Sequence, residues 1–179
     1  SSRQELLGFF YKIAEALDFL HKQEILHGVL NTENIVVDVN GEPKLFDYGL
    51  SGVFKKLLLE SMEDGFENLS VSDLKCTSPE QVLGRTPTRS SDIYSFGVVF
   101  YYYAIGEFPF TGKSDPETAV SLLDSPVLQV DNLPAHVSSD MLRFIQKCIQ
   151  LEPNARFANF PQVLNVLERL QAGKWVRLR

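Results

Sequence analysis

Residues 26–35 read LHGVLNTENI, and a second segment, residues 47–49, reads DYG. A turn signal lies between them, because Asn40-Gly41 follows the β-branched run at 35–39 and precedes residues 44–46. An Asn-Gly pair between two such runs favours a hairpin, since both residues tolerate positive φ. The sequence therefore predicts one short β-hairpin, with a polar loop before it and the DYG segment after it.

Helical patterns lie on both sides of this hairpin. Apolar residues recur at steps of three and four from about residue 3 to residue 22, which predicts an amphipathic helix. Residues 93–105 are almost wholly apolar and follow Ser90-Ser91-Asp92, a typical helix start, so we expect a helix buried on every side. Three further helices are expected, near residues 116–123, 138–149 and 161–170. The predicted fold class is mainly α, within the α+β family.

The segment at 50–77 has no sustained periodicity and carries acidic residues among scattered serines. This pattern predicts a long polar loop, and loops of this length in a compact domain are usually functional. Ser61, Ser70 and Ser72 are candidate phosphoacceptors, although a solvated loop serine is the simpler interpretation for each of them.

Composition and charge exclude several classes of protein. The chain has 179 residues, of which 44% are hydrophobic and 22% charged, as is typical of one folded domain. Its 17 Lys and Arg against 23 Asp and Glu give a net charge of −6, which argues against a nucleic-acid partner. No apolar run reaches the roughly 20 residues of a membrane helix, and no signal-peptide pattern is present. Cys76 and Cys148 form no disulfide or metal motif, so an intracellular location, cytoplasmic or nuclear, is expected.

Five segments, in order and in spacing, resemble the catalytic lobe of protein kinases. The family's signatures are H-R-D-L-x-x-x-N, D-F-G and A-P-E. Residues 27–34 stand in the place of the first, residues 47–49 in that of the second, and Ser-Pro-Glu at 78–80 in that of the third. Residues 92–97 are similar to the family's D-x-W-S-x-G, and Arg156 matches the arginine that pairs with the A-P-E glutamate.

This resemblance implies a fold and a domain organisation. Residues 1–179 would form a kinase C-lobe, a helical bundle with a short β-hairpin that carries the catalytic-loop and DYG segments. Residues 47–80 would be the equivalent of the activation segment. None of the eleven glycines gives G-x-G-x-x-G, and no segment resembles V-A-I-K. The N-lobe, which holds the upper half of the ATP site in this family, is therefore expected to be absent from this chain.

Four positions depart from the family pattern. Val29 stands in place of the aspartate that positions and deprotonates the substrate hydroxyl, and Gly28 in place of the neighbouring arginine. Asn31 replaces a lysine that lies near the transferred phosphate in Ser/Thr kinases, and Asp73 replaces a threonine of the activation segment. Loss of a general base alone costs about 10²–10⁴ in rate. The departures therefore predict no catalytic residue and no enzyme, but a pseudokinase that acts as a protein-interaction scaffold or allosteric regulator.

Two other functions stay open at this point. One is that of a divergent, weakly active Ser/Thr protein kinase that transfers phosphate from Mg-ATP. The other is that of a nucleotide-sensing module without catalysis. The expected partners are proteins, such as another kinase or a flanking domain, with no nucleic acid and no membrane.

The resemblance also implies which residues keep a role in binding. Asn34 and Asp47 are the family's two metal ligands, hard oxygen donors that suit Mg²⁺, and Val36 would lie beneath an adenine ring. Mg and ATP are therefore expected only in a protein that also has an N-lobe. The simpler interpretations are that Asn34 bonds to the loop backbone, that Asp47 caps the turn before Gly49, and that Val36 is ordinary strand core.

Other residues are expected to act through the architecture. The resemblance implies a buried ion pair between Glu80 and Arg156, and a contact of Asp92 with the backbone of the loop at 27–31. His27 is expected to be a buried structural histidine. Tyr48, a near-isosteric replacement of the phenylalanine in D-F-G, keeps a ring available for packing.

Overall fold

A computed structural model of the protein describes residues 2–50, 71–110, 112, 115–124 and 133–174. The elements are α1 (Arg3–Lys22), β1 (Ile35–Val37), β2 (Pro43–Leu45), α2 (Val71–Cys76), α3 (Pro79–Val82), α4 (Arg89–Ile105), α5 (Asp115–Asp124), α6 (Ser139–Cys148) and α7 (Phe160–Gln171), with a 3-10 turn at Pro153–Ala155. The prediction of a mainly α fold with one two-stranded hairpin is confirmed.

Helix α1 begins with a capping box and buries one face. Ser2 Oγ accepts a hydrogen bond from Glu5 N (3.2 Å), and Ser2 N donates to Glu5 Oε2 (2.8 Å). These bonds satisfy N–H groups that have no partner within the first turn of a helix. The buried face packs on α4 and α7, where the rings of Phe10 and Phe100 stack with centroids 4.2 Å apart. The loop at 26–35 therefore follows a helix that is held on two sides.

The central helix, α4, is buried along most of its length, as predicted, but it begins earlier than predicted. Its N-cap is Thr88 rather than a residue of the 90–92 group, and Thr88 N donates to Ser91 Oγ (3.0 Å). Asp92 therefore lies inside the first turn, and only 1% of its surface is exposed. The helix ends at Gly106, whose φ of 94° is left-handed and strained for other residues.

Gly97 lets α4 and α6 approach each other closely. A Cβ atom at position 97 would lie 2.5 Å from Cβ of Cys148 and 2.8 Å from Cγ2 of Ile149. Both neighbours are fully buried, so neither can yield without disturbing the core. Helices α4 and α6 can therefore pack this closely, along the seam at Gly97, only because residue 97 has no side chain.

The hairpin is shorter than the sequence predicts. Strands β1 and β2 pair antiparallel, with Ile35 opposite Leu45 and Val37 opposite Pro43. Beyond Val37, Oδ1 of Asp38 accepts hydrogen bonds from Asn40 N (2.8 Å) and from residue 42 N (2.9 Å). The side-chain oxygen of Asp38 takes the role of a backbone carbonyl here, as in other Asx turns, and the pairing of the two strands ends at Val37.

One correction concerns the polar segment predicted at 50–77. Residues 71–76 are helical (α2), and within them Leu74 and Cys76 are buried at 1% and 2% exposure. Two apolar anchors in six residues are too few to produce a visible period. Ser61 and Ser70 lie outside the described residues, and Ser72 lies in α2. Among the described helices, none is long and apolar enough to cross a membrane.

Candidate functional site

The buried carboxylate of Asp92 holds the backbone of the loop that precedes the hairpin. Oδ2 accepts a hydrogen bond from His27 N (2.9 Å), and Oδ1 accepts one from Gly28 N (2.7 Å). Nε2 of His21, at the end of α1, lies 2.7 Å from the same Oδ2. Three groups from two elements therefore converge on one side chain of the central helix, and they fix where the loop begins.

Gly28 is fixed on both of its sides. Its carbonyl accepts a hydrogen bond from Nε2 of Gln81 in α3 (2.8 Å), while its N–H donates to Asp92. Its φ is 78°, in the left-handed region that costs other residues roughly 1–2 kcal/mol. The kinase arginine would be strained at this φ, so the substitution by glycine relieves the backbone while it removes the cation.

Asn31 forms a tight turn inside the loop. Its Oδ1 accepts hydrogen bonds from Glu33 N (2.8 Å) and from Asn34 N (2.9 Å), and its side chain is 3% exposed. A buried amide turned onto its own backbone brings no charge to a bound phosphate. At this position the family's lysine is therefore replaced by a residue that shapes the loop.

Asn34 is oriented by the same loop. The side-chain Nδ2 of Asn34 donates to the carbonyl of Val29 (2.9 Å). The main-chain carbonyl of Asn34 accepts from Phe46 N (3.0 Å), just after β2. Because the amide nitrogen is engaged by the loop, Oδ1 is the atom that can face a metal ion. Bonding to the loop backbone and ligation of a metal are thus compatible roles for Asn34.

Asp47 has an unusual backbone. Its φ is 57°, and Glu24 is the other non-glycine residue with positive φ among the described residues. Aspartate tolerates this region better than most residues, yet such conformations cost of order 1–3 kcal/mol and occur often at functional sites. Two residues later, Gly49 N donates to the carbonyl of Leu26 (3.0 Å), which ties the DYG segment to the start of the loop.

The donor set at Asn34 and Asp47 fits Mg²⁺. The carboxylate of Asp47 is exposed and makes no hydrogen bond or ion pair with another described residue. An amide oxygen and a carboxylate are hard ligands, and Mg²⁺ commonly takes one or two such protein ligands, with waters and substrate phosphates completing its shell. Among the described residues, no cluster of three or more His, Cys, Asp or Glu forms a richer metal site.

The apolar side chains of the hairpin and of the DYG segment are open to solvent. Val36 is 49% exposed and Tyr48 is 50% exposed. For Val36 the interpretation as ordinary strand core is therefore wrong, since its side chain lies on the open face of β1. The ring of Tyr48 is half-exposed and so is still available for contact.

Glu80 and Arg156 form a buried, bidentate ion pair. Arg156 Nη1 donates to Glu80 Oε1 and Nη2 to Oε2, both at 2.8 Å, and Ser91 Oγ donates to Oε1 at 2.7 Å. Burial acts to raise the pKa of Glu80, but the hydrogen bond and charge of Arg156, with Ser91, outweigh it and hold that pKa below its ordinary value. The guanidinium also lies over the ring of Tyr94, 4.9 Å from its centroid. This pair joins α3 to the turn before α7.

His27 is fully buried, and neither of its ring nitrogens has a hydrogen-bond partner among the described residues. Burial lowers the pKa of His27, although the charge of Asp92 acts in the opposite direction. The ring is therefore neutral near pH 7 and fills space beneath the loop.

Sequence reasoning predicted the contact of Asp92 with the loop, which the structure shows, but it missed the contact that Gln81 makes from α3. Gln81 donates to the Gly28 carbonyl, and its Oε1 accepts from Ser78 Oγ (2.8 Å). The pattern Ser-x-x-Gln at 78–81 is that of a capping box and indicates a helix start. That signal could have located α3, but not the contact with a loop 53 positions earlier.

Comparison with known proteins gives a consistent result. A family model described as "Protein kinase domain" matches residues 1–168. Mitogen-activated protein kinase kinase 2 of Arabidopsis thaliana is 30% identical over 157 residues, which are 84% of this chain and 42% of that protein. The serine/threonine-protein kinase PknA of Corynebacterium glutamicum is 27% identical over 168 residues, 94% of this chain and 34% of that protein. A probable serine/threonine-protein kinase of Clostridium perfringens is 26% identical over 160 residues, 89% of this chain and 23% of that protein.

The comparisons confirm the predicted resemblance and overturn the prediction that the protein is not an enzyme. The matched relatives are named as protein kinases, so the family points to an enzyme. That prediction gave the departures at Gly28, Val29, Asn31 and Asp73 more weight than the resemblance of the rest of the chain to protein kinases. The chain spans less than half the length of these relatives.

Proposed function

The chain belongs to the protein kinase domain family, and on this premise we propose that it is part of a divergent, slow serine/threonine protein kinase that uses Mg-ATP. In this proposal residues 1–179 are the C-lobe and residues 47–80 the activation segment. The observation that carries the proposal is the pair of oxygen donors, Asn34 and Asp47, which lie just before β1 and just after β2, at the open end of the hairpin. The loop before that hairpin is held in place by buried hydrogen bonds, one that Gly28 N donates to Asp92 and one that Gln81 donates to the Gly28 carbonyl.

Phosphoryl transfer can proceed slowly without a carboxylate at position 29. Its transition state is loose, so catalysis comes mainly from positioning and from stabilisation of charge. Loss of a general base costs about 10²–10⁴, whereas kinases turn over at about 1–100 per second. A rate of roughly 10⁻⁴ to 1 per second is therefore expected from the two ranges together.

The residues of the chain have separate tasks in this reaction. Asn34 Oδ1 and the Asp47 carboxylate would hold Mg²⁺, which when bound neutralises the charge of the phosphates. The bonds of Asp92 and Gln81 keep the loop still, so that a substrate hydroxyl meets a fixed surface beside Val29. Because Val29 cannot accept a proton, the hydroxyl proton leaves to water or to an oxygen of the transferred phosphate.

The test is transfer of radiolabelled phosphate from Mg-ATP to protein substrates by the full-length protein. Asp47→Asn is the informative variant, because asparagine keeps the shape and tolerates left-handed φ but removes the charge. Asp140→Asn is the matched control, since Asp140 lies at the start of α6 and pairs with Arg143. We expect slow transfer, a loss of at least about 100-fold in Asp47→Asn from removal of a charged ligand, and no change in Asp140→Asn. The absence of transfer, or transfer that Asp47→Asn leaves unchanged, would contradict the proposal.

A further inference from the structure

Gln81 uses both ends of its buried side-chain amide to join two functional segments. Its side chain is 5% exposed. Nε2 donates to the Gly28 carbonyl (2.8 Å), and Oε1 accepts from Ser78 Oγ (2.8 Å). One side chain therefore connects the segment around the Ser-Pro-Glu motif with the loop that carries Val29 and Asn34.

The bond to Gly28 fixes a peptide plane inside the site. The Gly28 carbonyl belongs to the peptide that joins Gly28 to Val29, and the preceding peptide is held through Gly28 N by Asp92 (2.7 Å). The next carbonyl, that of Val29, accepts from Nδ2 of Asn34 (2.9 Å). The peptides 28–29 and 29–30 thus connect the side-chain amide of Gln81, which bonds to the first, with that of Asn34, which bonds to the second.

This peptide needs an external constraint because residue 28 is glycine. Glycine has the widest range of backbone conformations, and its φ of 78° here is one of many that it can adopt. With no side chain at this position, the hydrogen bonds of Asp92 and Gln81 select one orientation. An apolar residue at position 81 could fill the same space, but it would leave a buried carbonyl without a donor.

We propose that Gln81 is a positioning residue that sets the 28–29 peptide and, through the Val29 carbonyl, the orientation of the Asn34 amide. Asn34 Oδ1 then faces the metal ligated with Asp47. The metal-related part of this inference rests on the proposed function, whereas the effect on the Asn34 amide does not. Gln81 itself touches neither substrate nor metal in this proposal.

The first measurement is hydrogen exchange of side-chain amides by NMR on the unmodified protein, and it needs no variant. The Nε2 protons of Gln81 are expected to exchange at least about tenfold more slowly than those of Gln162, an exposed glutamine of α7. Equal exchange of the two side chains would overturn the proposal, because it would show that the bond to Gly28 is not maintained.

The second measurement compares Gln81→Leu with Gln162→Leu as a matched control. In Gln81→Leu we expect the Asn34 side-chain amide to shift and its protons to exchange about tenfold faster, with no such change in the control. A folded Gln81→Leu whose Asn34 signals are unaltered would overturn the positioning role. If Gln81→Leu does not fold, the comparison of Gln81 with Gln162 in the unmodified protein still decides whether the bond to Gly28, on which the proposal depends, is maintained.

The third measurement separates this inference from the proposed function. With active full-length protein, Gln81→Leu should raise the Mg²⁺ concentration for half-maximal phosphate transfer about tenfold, while Gln162→Leu leaves it unchanged. A lowered saturated rate with an unchanged Mg²⁺ requirement would overturn the link to Asn34. If the unmodified protein transfers no phosphate, the proposed function fails, and the Asn34 amide still tests Gln81.

Discussion

Arg156 is the side chain whose removal should destabilise the fold most clearly. All five of its N–H groups are used: two on Glu80 and the others on the carbonyls of Ser90 (2.9 Å), Gln150 (2.7 Å) and Leu151 (2.9 Å). Arg156→Met keeps the apolar stem but leaves the Glu80 carboxylate buried, with the hydroxyl of Ser91 as its remaining side-chain donor.

Removing one partner of a buried ion pair costs about 3–5 kcal/mol. The lost contact with the ring of Tyr94 adds up to about 2 kcal/mol, because that site is desolvated. Domains are stable by about 5–15 kcal/mol, so Arg156→Met should remain folded in buffer with a much smaller margin. We expect a loss of at least about 3 kcal/mol in the free energy of unfolding.

The assay is urea unfolding followed by circular dichroism, on the unmodified protein, Arg156→Met, Glu80→Gln and the double variant. The double variant should be less destabilised than the sum of the two single variants. Each single variant leaves one buried charge without its partner, whereas the double variant removes both charges. If the loss of unfolding free energy in the double variant equals the sum of the two single losses within about 0.5 kcal/mol, the two residues act independently and the reasoning is refuted.

The same pair predicts a dependence of stability on pH. The pKa of Glu80 in the folded protein lies below its ordinary value of 4.5. The folded state therefore binds this proton less readily than the unfolded state, and the stabilisation is complete above pH 4.5 and is lost as the pH falls toward the folded pKa. Below pH 4.5 the difference in unfolding free energy between the unmodified protein and Glu80→Gln should shrink. A constant difference would contradict this origin.

Three further predictions address the site. Val29→Asp should raise the rate of phosphate transfer by about 10²–10⁴, measured with radiolabelled ATP, because it supplies a proton acceptor at that position; no gain would show that the loop does not present position 29 to the hydroxyl. Asp47→Gly should be more stable to urea than Asp47→Ala by about 1 kcal/mol, because φ at this position is 57°; equal stability would show that no strain is present. His27→Leu should flatten the rise of stability between pH 5.5 and 7, roughly the range around its ordinary pKa of 6.5, since the lowered pKa of His27 means that the unfolded state binds more protons there; an unchanged slope would assign it to another group.

The sequence predicted the elements that depend on local pattern. Helix α1 was predictable from its period, and α4 from its apolar content, but the start of α4 was placed late because Thr88 was not recognised as the cap. Helix α2 was missed because Leu74 and Cys76 are anchored by tertiary contacts rather than by a repeating face. Propensity and period contain little information on such short elements.

The members of the candidate site could be proposed from the sequence, but their conformation could not be predicted from it. Motif spacing identified Asn34 and Asp47, because their order along the chain is visible in the sequence. The φ of Asp47 and the bond from Gln81 to Gly28 depend on how distant segments meet, and no local pattern encodes them. The expectation of a non-enzyme was wrong: it was based on the residues that depart from the family's motifs, whereas the matched relatives are named as protein kinases.

The close approach at Gly97 has a consequence for the chemistry of sulfur in this protein. Burial against this seam raises the pKa of the Cys148 thiol, and the thiolate is the form that reacts with oxidants and alkylating agents. An oxygen added to this sulfur would place a polar group in a fully buried position, so a molecule that is oxidised while open would be less stable when it closes again. Oxidants and alkylating agents reach this fully buried thiol only while the core is open, so the rate at which Cys148 is alkylated reports how often that core opens.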